Sequence, residues 1–480
     1  MTTWSNSRLA HLTADNDKFW FTVISITSLA AVTSTAPLIS PDSGSYLTFG
    51  TESFGQFSLF GESIRPWPSM IPFLLGTHTG VAIQYLVYGF ASLLFLRVIR
   101  HLLGDKSRTF ALQVVAFLFL FSRNNLQWQS SVLSEGLIHS LTVASIAAAG
   151  FCVWGNKKRC WPLLGCGFSS LLLATRPSSL PLVIVLILFC VATVFLRGSV
   201  VRGVALLAVT LCLSLYAISL GSQTNDYWED RPELSSVGTT RLGMHFGYLT
   251  AEGQHEALEV SAALKRSDNL FRSLRDDRDV PPCLTSIRAE YGCPHCLPQR
   301  LQDAGCASGI VWVNDHFMSW YARYLASNPS QLAEIAMWSI AWQSSFRIGG
   351  HQPWSPVPEG VERLTTGFAS PFPIPMMVFW FGLVFLHLTR RLLTPNLRGR
   401  RKNLLGESLF PLTVLLAALS STTLTAALMN TGVGRITRFG GIASMLALIL
   451  LVAVIERSPI ADSRRDDPVD RQLLGNGNNN

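Results

Sequence analysis

The chain has 480 residues, of which 49% are hydrophobic and 14% charged, with a formal net charge of +8. Soluble domains carry about a quarter charged residues, so this chain cannot cover itself in water and a water-soluble globular class is excluded. What remains is an all-α polytopic membrane protein, in which ~20 apolar residues per helix cross the hydrocarbon.

Apolar runs at 19–38, 79–98, 109–122, 134–154, 160–174, 180–196, 201–220, 372–389, 408–429 and 440–455 predict about ten transmembrane helices. The third and fifth runs are short for a full span and read as tilted or re-entrant pieces. A cleaved signal peptide is the alternative for the first run, since "STA" resembles a small-residue cleavage site; its length and the proline after Ala36 favour an uncleaved helix.

Ten helices sort the loops into two sets. One holds Arg97, Arg100, Lys106, Arg108, Lys157, Lys158, Arg159, Arg197, Arg202 and the run from Arg390 to Lys402, joined by Arg457, Arg464 and Arg465 in the tail. The short loops of the other hold only Arg65, Arg123, Arg176 and the pair Arg435 and Arg438. By the positive-inside rule the first set is cytoplasmic, as are both termini. The basic charge therefore reports topology, and nucleic acid drops out as a partner.

This topology divides the chain into an N-terminal transmembrane module (1–220), an extracytoplasmic domain inserted between helices seven and eight (221–370), C-terminal transmembrane helices (371–457) and a polar cytoplasmic tail (458–480) that reads as disordered. The insert is too long for a plain loop. It reads as mainly α, with amphipathic helices in "SDNLFRSLRDDRD" and "WYARYLASNPSQLAEIAMWSIAW", the second breaking at Asn328-Pro329. Its cysteines, Cys283, Cys293, Cys296 and Cys306, are disulfide candidates first. Zinc, with His295, and a redox CxxC are the alternatives. The other five cysteines read as packing residues in or beside helices.

The chemistry-bearing residues gather at the outer helix ends. Asp42 and Tyr46 follow the first helix, and Arg65 precedes the second. Arg123 and Glu135 bracket the entrance to the fourth, and Arg176 lies between the fifth and sixth. Arg435 and Arg438 stand between the last two. Singly, each has a plain reading: a loop aspartate is solvated, Glu135 caps a helix and an arginine snorkels to headgroups. Together they place two carboxylates and several arginines at one membrane face. A carboxylate can act as a base toward a hydroxyl, and the planar guanidinium fork suits phosphate. The combination points to chemistry on a lipid-phosphate substrate.

Five stretches, "PDSGSYL" (41–47), "RPWPSMIPFLL" (65–75), "VLSEGLIHSL" (132–141), "ATRPSSLPLVI" (174–184) and "GRITRFGGIASMLAL" (434–448), resemble the GT-C superfamily of polytopic glycosyltransferases. That superfamily includes protein O-mannosyltransferases and lipid A aminoarabinose transferases. The order and spacing of these stretches agree across some 440 residues. The chain departs from the pattern in having a single Asp42 in the first loop, Phe439 where tyrosine is common, and its soluble domain before the last helices. The resemblance implies a polyprenyl-phosphate-linked sugar donor and an envelope glycan, lipid or protein acceptor, within membrane lipid of a bacterial inner membrane. It implies Asp42 as general base and Glu135 as a second acid, or as a group that positions the acceptor or a divalent cation (Mg or Mn). Arg176, Arg435, Arg438 and Arg65 would neutralise the leaving phosphate, and Tyr46 would orient the sugar. Arg123 and Trp128 are acceptor-side candidates, although Trp128 by type reads first as an interfacial anchor. Two carboxylates alone are too few to define a cation site. A transporter or lipid-linked sugar flippase is the alternative, and would call for charges midway along helices; apart from His139 the spans are nearly free of them.

Overall fold

The computed structural model describes residues 16–39, 67–104, 107–154, 160–196, 200–229, 269–286 except 271, 301–333 except 302, 353–358, 401–429 and 433–457, with 382, 386 and 389 besides. Among these residues the chain is helical and has no strand. The long elements are α1 (Asn16–Ser34), α2 (Thr77–Leu103), α3 (Ser107–Leu120), α4 (Arg123–Gln129), α5 (Ser134–Trp154), α6 (Cys160–Thr175), α7 (Leu180–Leu196), α8 (Val200–Glu229), α9 (Ala307–Ser327), α10 (Arg401–Met429) and α11 (Val433–Glu456). Each apolar run read from the sequence is a helix, apart from 372–389, which lies outside the described residues but for three positions.

Three helices, Thr77–Leu103, Ser134–Trp154 and Val200–Leu220, are long and apolar enough to cross a membrane. At 1.5 Å per residue α2 is about 40 Å long and α5 about 32 Å, against a hydrocarbon thickness of ~30 Å. The apolar parts of α3, α6, α7, α10 and α11 are shorter. α5 is the axis of the bundle: 89% of its most apolar window is buried, against 22% for α8. It touches α2, α6, α7 and α11. Its small residues allow this. Ala147, Ala148, Ala149 and Gly150 let neighbouring backbones approach, and a Cβ at Gly150 would already lie 3.0 Å from Val98. α8 instead turns Val201, Val204, Leu207, Leu211 and Leu215 outward. An exposed apolar belt of this kind is unsuited to water and suited to lipid.

The first apolar run is built into the bundle. Asn16 Nδ2 and Trp20 Nε1 both donate to Gln113 Oε1 (2.9 and 3.0 Å), and Gln113 Nε2 donates to the Leu96 carbonyl (2.9 Å), joining α1, α3 and α2. Asp17 pairs with Arg100 (3.0 Å) and Arg97 (3.4 Å). α2 ends where Gly104 takes φ +72°, a left-handed conformation that costs glycine nothing, and its N–H caps the Arg100 carbonyl.

A second core forms within residues 270–332, from Leu270, Leu274, Leu284, Leu301, Val313, Phe317, Tyr321 and Leu325. α9 stops at Ser327, directly before Asn328-Pro329, because the residue before proline disfavours helical geometry. Cys283 and Cys306 form a disulfide, with Cα atoms 5.7 Å apart. This corrects the zinc alternative: two of the four sulfurs are bonded to each other and cannot serve a four-cysteine metal site. Cys293 and Cys296 lie outside the described residues.

Candidate functional site

Among the described residues, the ion pairs of the bundle sit at its two ends. At one end, Asp17 holds Arg97 and Arg100, Glu456 holds Arg108 (2.5 Å), and Glu407 holds Arg457 (3.0 Å). The other end carries Glu135, Arg176 and Arg123.

Local sequence puts Glu135 and Arg176 at helix termini. Pro177 has no N–H to continue α6, which ends at Thr175 with the Arg176 N–H bonded to the Leu172 carbonyl (2.8 Å). Arg176 therefore stands at the negative end of the α6 dipole, and Glu135, in the first turn of α5, at the positive end of that helix. α5 and α6 are neighbours, which brings Arg176 Nη2 to 3.9 Å from Glu135 Oε1. That is an ion-pair separation, longer than a direct hydrogen bond. The Glu135 side chain is only 5% exposed and that of Arg176 20%, so the two charges face each other with little solvent between them.

The turn before α5 is anchored from two sides. Leu38 makes a parallel bridge with Ser131: its N–H donates to the Ser130 carbonyl (2.8 Å) and its carbonyl accepts from Val132 (3.0 Å). From α2, Gln84 Nε2 donates to the Leu133 carbonyl (2.9 Å), while Tyr85 and Tyr88 donate to the carbonyls of Leu126 (3.2 Å) and Leu120 (2.7 Å). A Cβ at Gly136 would meet Gln84 Oε1 at 2.5 Å and the Trp128 carbonyl at 2.8 Å, so only glycine fits beside Glu135. α4, for all its polarity, is buried: Asn125, Gln127 and Gln129 are almost wholly covered. Trp128 is fully buried too, its ring edge-on to His139 with centroids 6.0 Å apart. It packs inside the bundle and does not serve as the interfacial anchor its residue type suggested.

Among the candidate site residues, the structure joins Glu135 with Arg176 and puts Arg123 at the same end. Arg435 and Arg438 differ from expectation. They lie in the first two turns of α11, which starts at Val433, seven residues before the apolar run. Asp42, Tyr46 and Arg65 lie outside the described residues. Glu135 faces a guanidinium, and among the described residues no group of three His, Cys, Asp or Glu could hold a metal. Asp42, the other carboxylate expected beside a cation, lies outside the described residues. Gln84 escaped the sequence reading; the signal that could have found it is an amide inside an otherwise apolar run.

A scan against protein-family models finds no match for this chain, and neither the curated proteins nor the solved structures contain one.

Proposed function

We propose that the chain is an integral-membrane glycosyltransferase of the GT-C type. It would move a sugar from a polyprenyl-phosphate donor to an acceptor hydroxyl or amine at the extracytoplasmic face. The proposal takes the ten-helix topology, with residues 221–370 outside and both termini in the cytoplasm. The observation that carries it is the buried Glu135–Arg176 pair at the bundle end away from the Asp17 cluster. A carboxylate and a guanidinium largely covered from solvent at adjoining helix ends, at the depth where a lipid phosphate would lie, make a candidate functional site.

In this reading the Asp42 carboxylate takes the acceptor proton as the acceptor oxygen or nitrogen attacks the anomeric carbon. The bond from that carbon to the phosphate oxygen breaks, with inversion, and polyprenyl phosphate leaves. Arg176, with Arg65, Arg435 and Arg438, neutralises the phosphate, the electrostatic contribution that is usually largest in such transfers. Glu135 orients Arg176 and the acceptor, and Tyr46 the sugar. Support for Asp42 comes from the chain itself: it follows Leu38 by four positions, at most about 14 Å of backbone, and Leu38 is bonded to the turn that opens toward Glu135.

The test is transfer by the purified chain from a panel of radiolabelled polyprenyl-phosphate sugars to envelope extract, with Asp42→Asn alongside. Native transfer that drops about 100-fold in a folded Asp42→Asn variant is the expected result, within the range a positioned base contributes. Transfer that survives the substitution removes Asp42 as base. Movement of donor across reconstituted bilayers with no transfer from any donor replaces the enzyme by a flippase.

A further inference from the structure

Thr35 and Phe121 stand directly after the last residues of α1 and α3. Carbonyls at such helix ends have no partner within their own helix. Residues 353–358, "PWSPVP", supply one from far along the chain. The Ser355 hydroxyl donates to the Phe121 carbonyl (2.7 Å) and the Trp354 N–H to Thr35 Oγ1 (3.3 Å), across 234 and 319 positions of sequence. The segment is seated firmly. Pro353 and Val357 are buried, and the Val357 N–H returns to the Ser355 hydroxyl (3.1 Å).

Thr35 passes this contact inward. Its side chain is buried and lies beside the Tyr85 hydroxyl, which also neighbours the hydroxyl of Ser130. The Tyr85 proton goes to the Leu126 carbonyl (3.2 Å), which leaves the phenol oxygen as an acceptor. A threonine hydroxyl both accepts and donates. Thr35 accepts from the strap and is placed to donate to Tyr85; a valine would keep the shape and lose both. Three residues on, the Leu38 N–H donates to the Ser130 carbonyl and the Leu38 carbonyl accepts from Val132. That turn opens α5, with Glu135 in its first turn. Every step from the strap to Glu135 is a hydrogen bond or a few residues of chain.

We propose that Thr35 is a positioning residue, the junction through which the 353–358 strap and Tyr85 hold the turn that opens α5 and so keep Glu135 against Arg176. Its importance for activity rests on the glycosyltransferase reading; the positioning does not. The test uses the full chain in lipid nanodiscs with three substitutions. Thr35→Val removes the hydroxyl at constant shape, Thr35→Ser keeps it, and Ser355→Ala frees the strap from Phe121. Hydrogen exchange at the Val132 amide should rise about fivefold or more in Thr35→Val and Ser355→Ala, the equivalent of one hydrogen bond, and stay native in Thr35→Ser. The Gly104 amide, bonded to the Arg100 carbonyl at the other end of the bundle, should keep its rate in all three. The Glu135–Arg176 contact is read by solid-state NMR as the dipolar coupling between carboxylate carbon and guanidinium nitrogens, assigned by its loss in Arg176→Lys. That coupling should weaken in Thr35→Val and Ser355→Ala and persist in Thr35→Ser. Val132 exchange indifferent to Thr35→Val, an equal rise at Gly104, or an unchanged coupling overturns the proposal. A loosened turn and weakened coupling in a protein whose native form transfers no sugar keep Thr35 in this role and reject the glycosyltransferase.

Discussion

Glu135 and Arg176 carry opposite charges in a place that disfavours either one alone. Removing one member of a covered pair costs more than the pair contributes, because the remaining charge stays buried. Arg176→Leu should therefore lower stability by about 1–3 kcal/mol, whereas Glu135→Gln, which keeps the shape and leaves the less deeply covered arginine (20% exposed against 5%) nearer to water, should cost less. Thermal unfolding of the two variants in one detergent decides the order. Gly136→Ala tests the neighbouring constraint. The added methyl meets the Trp128 carbonyl, a backbone atom that cannot swing away, so a loss of about 1–3 kcal/mol is expected. Tyr324 gives a pH signature in the second core. Burial raises the pKa of its phenol, with opposing contributions from hydrogen bonds to Gln331 and Ser273. The folded state then keeps a proton that the unfolded chain has begun to lose, so stability is complete below about pH 10 and falls as pH rises beyond it. Tyr324→Phe should flatten that alkaline slope in thermal unfolding scans.

At the scale of elements, two features of unlike origin hold pieces together. The Cys283–Cys306 disulfide closes 23 residues of chain and should contribute about 3 kcal/mol by restricting the unfolded state. Cys283→Ser with Cys306→Ser should lower the unfolding temperature of the second core by that equivalent, and a reductant should do the same to the native chain. α10 and α11 meet through Gly440, where a Cβ would lie 2.0 Å from Thr422 Oγ1 and 3.0 Å from the Ala418 carbonyl. Thr422 itself donates to that carbonyl (2.8 Å). Much of this level was legible in advance. Long apolar runs, Pro177 and Asn328-Pro329 mark helices and their ends through local backbone chemistry alone. The early start of α11 was not, because "VGRITR" is polar enough to read as a loop and becomes helix only as the first turns of a long, packed element.

For the whole molecule, the separation of charges into two ends is the property most open to test. The Asp17 end should face the cytoplasm if the positive-inside reading is right. Cys160, exposed at the start of α6, should then react with a membrane-impermeant maleimide in inverted vesicles and stay unlabelled in intact cells. Thr33→Cys, near the far end of α1, should behave in the opposite way. The reverse pattern would invert the topology and put the Glu135 site in the cytoplasm, where the proposed donor chemistry could not be the one described.

The sequence by itself determined that the described residues are helical and suited to a membrane, and where nearly every described helix lies. These follow from composition and from periodicity within short windows. Only the tertiary structure decided which residues meet. It pairs Glu135 with Arg176 across two helices, joins Cys283 to Cys306, buries Trp128, and bonds Ser355 to the Phe121 carbonyl more than two hundred positions away. Such contacts depend on how helices cross, and crossing is set by small residues and close approaches that leave no local pattern in the chain.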